Sequence, residues 1–129
     1  MADRDQALLQ WRQAWDLHLE PSDVPLVQFQ QQVLRPLLKV QNPMLVAFLA
    51  NHLTRHAAAA TAPKMQKEKI LLHFFQKEPL FGQGLRHLVL GCMTLEEYQF
   101  YLQHQAELNK RLNAMLQQRL LDQWPTNSL

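Results

Sequence analysis

The stretch from Thr94 to Gln123 constrains the fold more than any other, because its thirty residues include no glycine and no proline. Its apolar residues recur at intervals of three and four, which is typical of an amphipathic helix. They are Leu95, Tyr98, Tyr101, Leu102, Leu108, Leu112, Met115, Leu116 and Leu120. Thr94 and Glu97 have the spacing of a capping box, and Pro125 follows the end of the stretch. We predict one unbroken helix of about 45 Å, long enough to leave part of its apolar stripe for a partner.

Prolines and capping residues divide the rest of the chain into shorter helices, and the shortage of β-branched residues disfavours sheets. We expect a first helix over about 5–19, in which Trp11 and Trp15 lie in the core or in a dimer interface. A second helix, capped by Ser22 or Asp23, kinks or restarts at Pro36. Further helices are predicted from Asn42 to Pro63 and over residues 64–77. The segment 80–90 is apolar, and Gly82-Gln83-Gly84 within it is left open as a turn or a flexible cap. The sequence therefore predicts an all-α protein: a compact bundle of five or six helices with a long C-terminal helix. We expect one domain over residues 1–129 with a frayed tail at 124–129.

Charge is unevenly distributed along the chain, although the net charge is only +2. Residues 1–34 carry a net charge of −3, residues 35–86 carry +6, and residues 87–129 carry −1. A basic middle can attract phosphate or an acidic peptide, or it can neutralise the acidic first helix within the fold or across a dimer. The candidate site for nucleic acid or an acidic peptide consists of Arg55, Lys64, Lys67, Lys69, Lys110, Arg111 and Arg119.

No arrangement of residues in the sequence indicates catalysis, so we predict that the protein is not an enzyme and needs no cofactor. Cys92 is the single cysteine, which favours a reducing, cytoplasmic setting. The polar N-terminus does not resemble a signal peptide, and no apolar run approaches the length of about 18 residues that a membrane span requires. We therefore expect a cytoplasmic protein without a membrane partner.

His52 and His56 are four residues apart on a predicted helix, a spacing at which two imidazoles can share one metal ion. A third ligand would have to come from His73, His87 or Glu68. The alternative is two partly exposed rings that add to the basic surface below about pH 6.5. We assign no metal on this pattern alone.

Two stretches resemble helices of a known family. Residues 45–53 read LVAFLANHL, and Glu97-Tyr98 is followed by His104-Gln105 and then by ELNKRLNAM at 107–115. The first resembles a Val-Ala-aromatic-Leu-Ala helix of the PriC family of primosomal replication proteins. The second is similar to that family's later helix, in which His-Gln leads into Glu-aromatic-Glu-Arg-Arg-Leu and a methionine. The chain departs from this pattern at Leu108, Asn109 and Lys110, and the two stretches cover about a quarter of it.

This resemblance implies a small, helical, non-enzymatic factor for restarting stalled replication forks. Such proteins bind single-stranded DNA and the acidic tail of the single-strand-binding protein, and they help to place the replicative helicase. Lys110 and Arg111 lie at positions of the family motif, whereas the other candidate residues are inferred from their charge alone. The alternative interpretation is a helical adaptor or assembly chaperone that binds a protein partner and forms a homodimer through the long C-terminal helix.

Overall fold

The computed structural model describes residues 2–13 and 24–125, and these residues form helices with no strand among them. Seven helices and one isolated turn, Ala57–Ala60, are present in the described ranges. The helices are α1 Ala2–Gln13, α2 25–40, α3 Asn42–Leu53, α4 Lys64–Lys77, α5 Pro79–Leu90, α6 Leu95–Gln103 and α7 Gln105–Asp122. The all-α prediction is confirmed, and the expected five or six helices are corrected to seven. Trp15, the Ser22 or Asp23 cap and residues 126–129 lie outside the described residues.

Helix α2 contains a π-helical turn, Gln30–Leu34, between the α-helical segments Pro25–Phe29 and Arg35–Val40. The backbone N–H of Arg35 donates to the carbonyl of Gln30, five residues earlier. In a regular α-helix the ring of Pro36 would collide with the carbonyl four residues before it. The wider turn ends at Leu34, two residues before Pro36, so the helix continues through the proline and the expected restart does not occur.

The prediction of one unbroken C-terminal helix of thirty residues is wrong. The chain leaves helical geometry at His104, where φ is −126° and ψ is 32°. Neither glycine nor proline marks this position, so side-chain contacts favour the bend. Phe100 of α6 stacks on Phe29 of α2, with ring centroids 4.8 Å apart. Tyr101 is buried, and its hydroxyl donates to Oδ1 of Asn109 in α7 at 2.5 Å. The bend lets both rings pack against the rest of the chain.

The apolar stripe of α7 is covered by the same chain. Four leucines spaced one turn apart have 0% of their surface exposed: Leu108, Leu112, Leu116 and Leu120. Helices α2 to α6 all contact α7. In α6, three residues that we placed in the same stripe remain 39–47% exposed: Leu95, Tyr98 and Leu102. Within the described ranges α7 therefore leaves no apolar stripe for a second copy, and the exposed part of the predicted stripe lies on α6.

The predicted capping box begins α6 and also anchors α1. Oγ1 of Thr94 accepts from the N–H of Glu97 at 3.2 Å, and the Glu97 carboxylate accepts from the N–H of Thr94 at 2.9 Å. Arg12 of α1 donates to both oxygens of this carboxylate, at 2.6 and 2.9 Å. Trp11, beside Arg12, is 39% exposed and is not a core residue. An ion pair therefore joins α1 to the first turn of α6.

Helix α5 continues through the segment that the sequence left open as a turn or a cap. A Cβ atom on Gly84 would lie 2.5 Å from Cζ of Phe48 in α3. Glycine therefore permits the close approach of α3 and α5.

Near the C-terminal end of the described residues, Trp124 is buried, so the prediction of a frayed tail is wrong at this residue. No helix among the described residues is both long and apolar enough to cross a membrane.

Candidate functional sites

Three side chains with metal-ligating atoms meet where α3 ends and α4 is joined to α5. His52 lies in the last turn of α3, and Glu78 is the single residue between α4 and α5. His56 follows the end of α3 with a φ of −137° and a ψ of 60°, so our prediction that this helix continues to Pro63 is wrong. One ligand atom from each of the three residues lies within 4.8 Å of the others. We refer to His52, His56 and Glu78 as the His–Glu cluster.

The third member of the cluster differs from the residues that we expected. Glu68 is exposed on α4, His73 lines a neighbouring cavity, and His87 is exposed on α5 beside a different groove. Glu78 was missed because it reads as the residue before the proline that ends a helix. Only the packing of α3 against the junction of α4 and α5 brings its carboxylate to the two imidazoles.

His52 lies among aromatic rings, with its ring centroid 4.6 Å from that of Phe74 and 4.7 Å from that of Phe81. Its burial lowers the pKa of His52 and outweighs the nearby Glu78 carboxylate, which raises this pKa. The neutral imidazole, whose lone pair can bind a metal, is therefore favoured near pH 7. Oε1 of Glu78 lies 3.2 Å from Nε2 of His52. The carboxylate is close enough to raise the pKa of His52, but this buried nitrogen forms no hydrogen bond of good geometry among the described residues.

Two cavities lie beside the His–Glu cluster, and Glu78 lines both of them. The larger, of about 580 Å³, is lined by His56, Glu78, apolar residues of α4 and the turn before it, Lys69 and His73. The smaller, of about 370 Å³, is lined by His52, Glu78, Arg55 and neighbouring apolar residues. Two basic residues of the predicted site, Arg55 and Lys69, therefore line different cavities beside the cluster.

A third groove, of about 480 Å³, lies between α2 and α7, and we call it the arginine groove. Arg35 and Arg119 line it together with the apolar side chains of Leu38 and Met115. Asp122 lies in the same groove, where one carboxylate oxygen accepts from Nε2 of Gln118 at 2.9 Å. The groove thus combines two cations and one anion with apolar surface.

Both arginines of this groove are bonded to neutral amides. Arg35 donates to Oε1 of Gln31 at 2.9 Å, and Arg119 donates to Oδ1 of Asn42 at 3.2 Å. Neither forms a salt bridge within the described part of the chain. Burial, followed by the charge of Arg35, lowers the pKa of Arg119, although Asp122 raises it. Two like charges near each other at a partly buried site favour the binding of an anion.

The remaining candidate residues lie on other surfaces. Lys64 is exposed in the first turn of α4, and Nζ of Lys67 lies 5.8 Å from the centroid of the Trp124 ring. Lys110 is exposed on α7. Arg111 is engaged within the chain, because its Nε lies 3.2 Å from Glu107 and its guanidinium also donates to Gln30 at 2.9 Å. The structure thus distributes the predicted site residues over several surfaces.

Arg35 belongs to the basic middle of the sequence but not to the predicted site. Its distance from Arg119 along the chain gave no signal that the two would line one groove. The contact between α2 and α7 brings them there.

Comparisons with protein-family models, with curated proteins and with solved structures give no match to this chain. The fold and these surfaces define an all-helical protein with a His–Glu cluster and a separate groove that contains two arginines. The resemblance to the PriC family stays a prediction from the sequence.

Proposed function

We propose that this chain is a non-enzymatic helical binding protein similar to the PriC family. In this proposal the chain binds the acidic tail of the single-strand-binding protein. The supporting observation is the pair Arg35 and Arg119, both bonded to neutral amides and lining one groove. Their charges are available to the carboxylates of an acidic peptide, and charge-assisted hydrogen bonds are stronger than neutral ones.

The apolar part of the arginine groove suits a peptide that ends in an aromatic residue. Leu38 and Met115 line the groove next to the two arginines, and a methionine thioether packs favourably against aromatic rings. The ring of a terminal phenylalanine would contact these side chains while the carboxylates beside it reach Arg35 and Arg119. Asp122 in the same groove disfavours a peptide that places a carboxylate next to it.

Single-stranded DNA is the second ligand in this proposal, because phosphates bind the same cations. Lys110, exposed on α7, lies at a position of the family motif and can contribute a phosphate contact. Arg111 contributes less, since Glu107 and Gln30 already engage its guanidinium. Loss of Lys110 is therefore expected to weaken DNA binding and to leave peptide binding unchanged.

The experiment measures fluorescence anisotropy of a labelled acidic peptide ending in phenylalanine, and of labelled oligo-dT, between about 50 and about 200 mM salt. We expect Arg35→Gln and Arg119→Gln each to weaken peptide binding about tenfold, which corresponds to the loss of one charge-assisted hydrogen bond of about 1.5 kcal/mol. Replacing the terminal phenylalanine of the peptide by alanine should weaken binding by a similar factor.

Lys39→Gln is the matched control, because Lys39 is exposed on the same helix as Arg35 and does not line the groove. This variant loses the same charge and should keep its peptide affinity within about twofold. An equal loss in Lys39→Gln and Arg119→Gln would indicate a diffuse charge effect and contradict the groove. Failure of the unaltered protein to bind either probe, or affinities that do not fall with added salt, would contradict the proposed function itself.

The alternative, a dimeric helical adaptor, has less support because the apolar stripe of α7 is covered within one chain. Light scattering over a range of protein concentrations separates the two proposals. A monomer that binds the acidic peptide favours the PriC-like function, whereas a concentration-dependent dimer without peptide affinity favours the adaptor.

A further inference from the structure

We propose that the His–Glu cluster of His52, His56 and Glu78 is a binding site for one divalent transition-metal ion of the zinc class. The site is separate from the arginine groove, and the proposal does not depend on replication-restart activity. It rests on the convergence of three ligating groups, on an unsatisfied buried nitrogen and on the open volume beside the cluster.

The three side chains lie near coordination geometry before any ion binds. Their ligand atoms lie within 4.8 Å of one another, whereas ligands bound at about 2.1 Å in a tetrahedral zinc site are about 3.4 Å apart. Side-chain rotations that bring each ligand atom about 1 Å closer to a common centre would make up the difference. His56 is exposed and lies beyond the end of α3, so its ring has room to rotate.

The unsatisfied nitrogen of His52 gives the cluster a reason to bind a cation. Nε2 is buried and has no hydrogen-bond partner in the described residues, although Oε1 of Glu78 lies 3.2 Å away. A buried polar atom without a well-formed hydrogen bond destabilises the fold. A metal ion between Nε2 and the carboxylate would give both groups a partner.

The ligand types determine the class of ion. Two imidazoles and one carboxylate suit zinc and its first-row neighbours, whereas Mg²⁺ and Ca²⁺ prefer oxygen ligands. The rings of Phe74 and Phe81 pack against His52. Arg55, near the cluster, opposes a cation and is expected to reduce the affinity.

Three protein ligands leave one position of a tetrahedral ion open. The cavity of about 580 Å³, lined by His56 and Glu78, lies beside the cluster. Water or a small anion can therefore reach the fourth position from that cavity. Lys69 lines the same cavity and would contribute a positive charge towards an anionic ligand of the metal.

The test uses the full chain purified without a histidine tag and dialysed against a chelator. Zn²⁺ is then titrated by calorimetry, and Co²⁺ is added separately so that its visible absorption reports a tetrahedral site. We expect the unaltered chain to bind one Zn²⁺. In His56→Gln and in Glu78→Gln the zinc affinity should fall at least about 100-fold, which is more than the loss of a residue that only contacts a ligand would cause. His56 is exposed, so its replacement should leave the circular dichroism spectrum and the unfolding temperature unchanged.

His73→Gln is the matched control, because His73 lines the same cavity but does not belong to the cluster. It should keep its zinc affinity within about tenfold, as expected for a residue that does not ligate the ion. Absence of stoichiometric zinc binding by the unaltered chain would overturn the proposal. Equal losses in His73→Gln and His56→Gln would overturn it as well, because they would indicate non-specific binding to histidines.

Discussion

The contact between Arg12 and Glu97 should contribute a large share of the stability of the N-terminal part of the structure. Arg12 is 8% exposed and Glu97 is 17% exposed, and two hydrogen bonds of 2.6 and 2.9 Å join them. Glu97→Gln keeps an oxygen that can accept from the N–H of Thr94 but removes the charge opposite Arg12. Breaking a fully buried ion pair costs about 3–5 kcal/mol. Because Glu97 is partly exposed, we expect a loss of about 2–3 kcal/mol in the free energy of unfolding.

Urea unfolding followed by circular dichroism measures this loss, and thermal unfolding should show a midpoint lower by about 7–11 °C for a chain of this length. Glu96→Gln is the control, because Glu96 is an exposed neighbour in the same first turn of α6. A change below about 0.5 kcal/mol in Glu97→Gln would refute the argument. So would an equal loss in Glu96→Gln, since the effect would then come from charge at the helix terminus. In a double-mutant cycle with Arg12→Met, the two losses should not add.

Three further predictions concern the core, the contact between α3 and α5, and the cysteine. Leu112→Ala should lower the free energy of unfolding in urea by about 3 kcal/mol, because the side chain is fully buried; the same substitution at Leu102, which is 47% exposed, should cost much less. Gly84→Ala should cost about 1 kcal/mol in the same assay, because the new methyl group would push against the ring of Phe48 and outweigh the better helix propensity of alanine; a gain in stability would contradict this contact. Burial raises the pKa of the Cys92 thiol, so the alkylation rate of the folded protein should rise with pH at a higher midpoint than that of the urea-unfolded chain; a lower midpoint in the folded protein would show that the charges of Arg4 and Arg12 outweigh burial.

Sequence patterns predicted a helical element correctly where the pattern and the conformation of that element depend on the same few neighbouring residues. The capping box of Thr94 and Glu97 is one case, because both partners lie within one turn. The helix over 64–77 is another, bounded by prolines on either side. In these places backbone hydrogen bonding and the nearest side chains are sufficient to determine the conformation.

The bend at His104 could not be predicted, because it depends on contacts between residues that are distant in sequence. Phe100 stacks on Phe29, which lies far before it in the sequence, and no glycine or proline indicates the change of direction. The candidate sites differ from the prediction for the same reason. Glu78 joins His52 only through the packing of α3 against the junction of α4 and α5, and Arg35 meets Arg119 only across α2 and α7.

The π-helical turn in α2 links two features of the sequence that look independent: the number of residues in the turn and the proline at position 36. The turn accommodates one residue more than an α-helical path would, and Pro36 lies two residues after its end. Deleting one residue within 30–34 would restore regular α-helical winding and bring the ring of Pro36 against a backbone carbonyl. The deletion would also rotate Phe29 by about 100° about the helix axis relative to the buried residues after it. During evolution, the additional residue and the proline should therefore be gained or lost together in chains that share this helix.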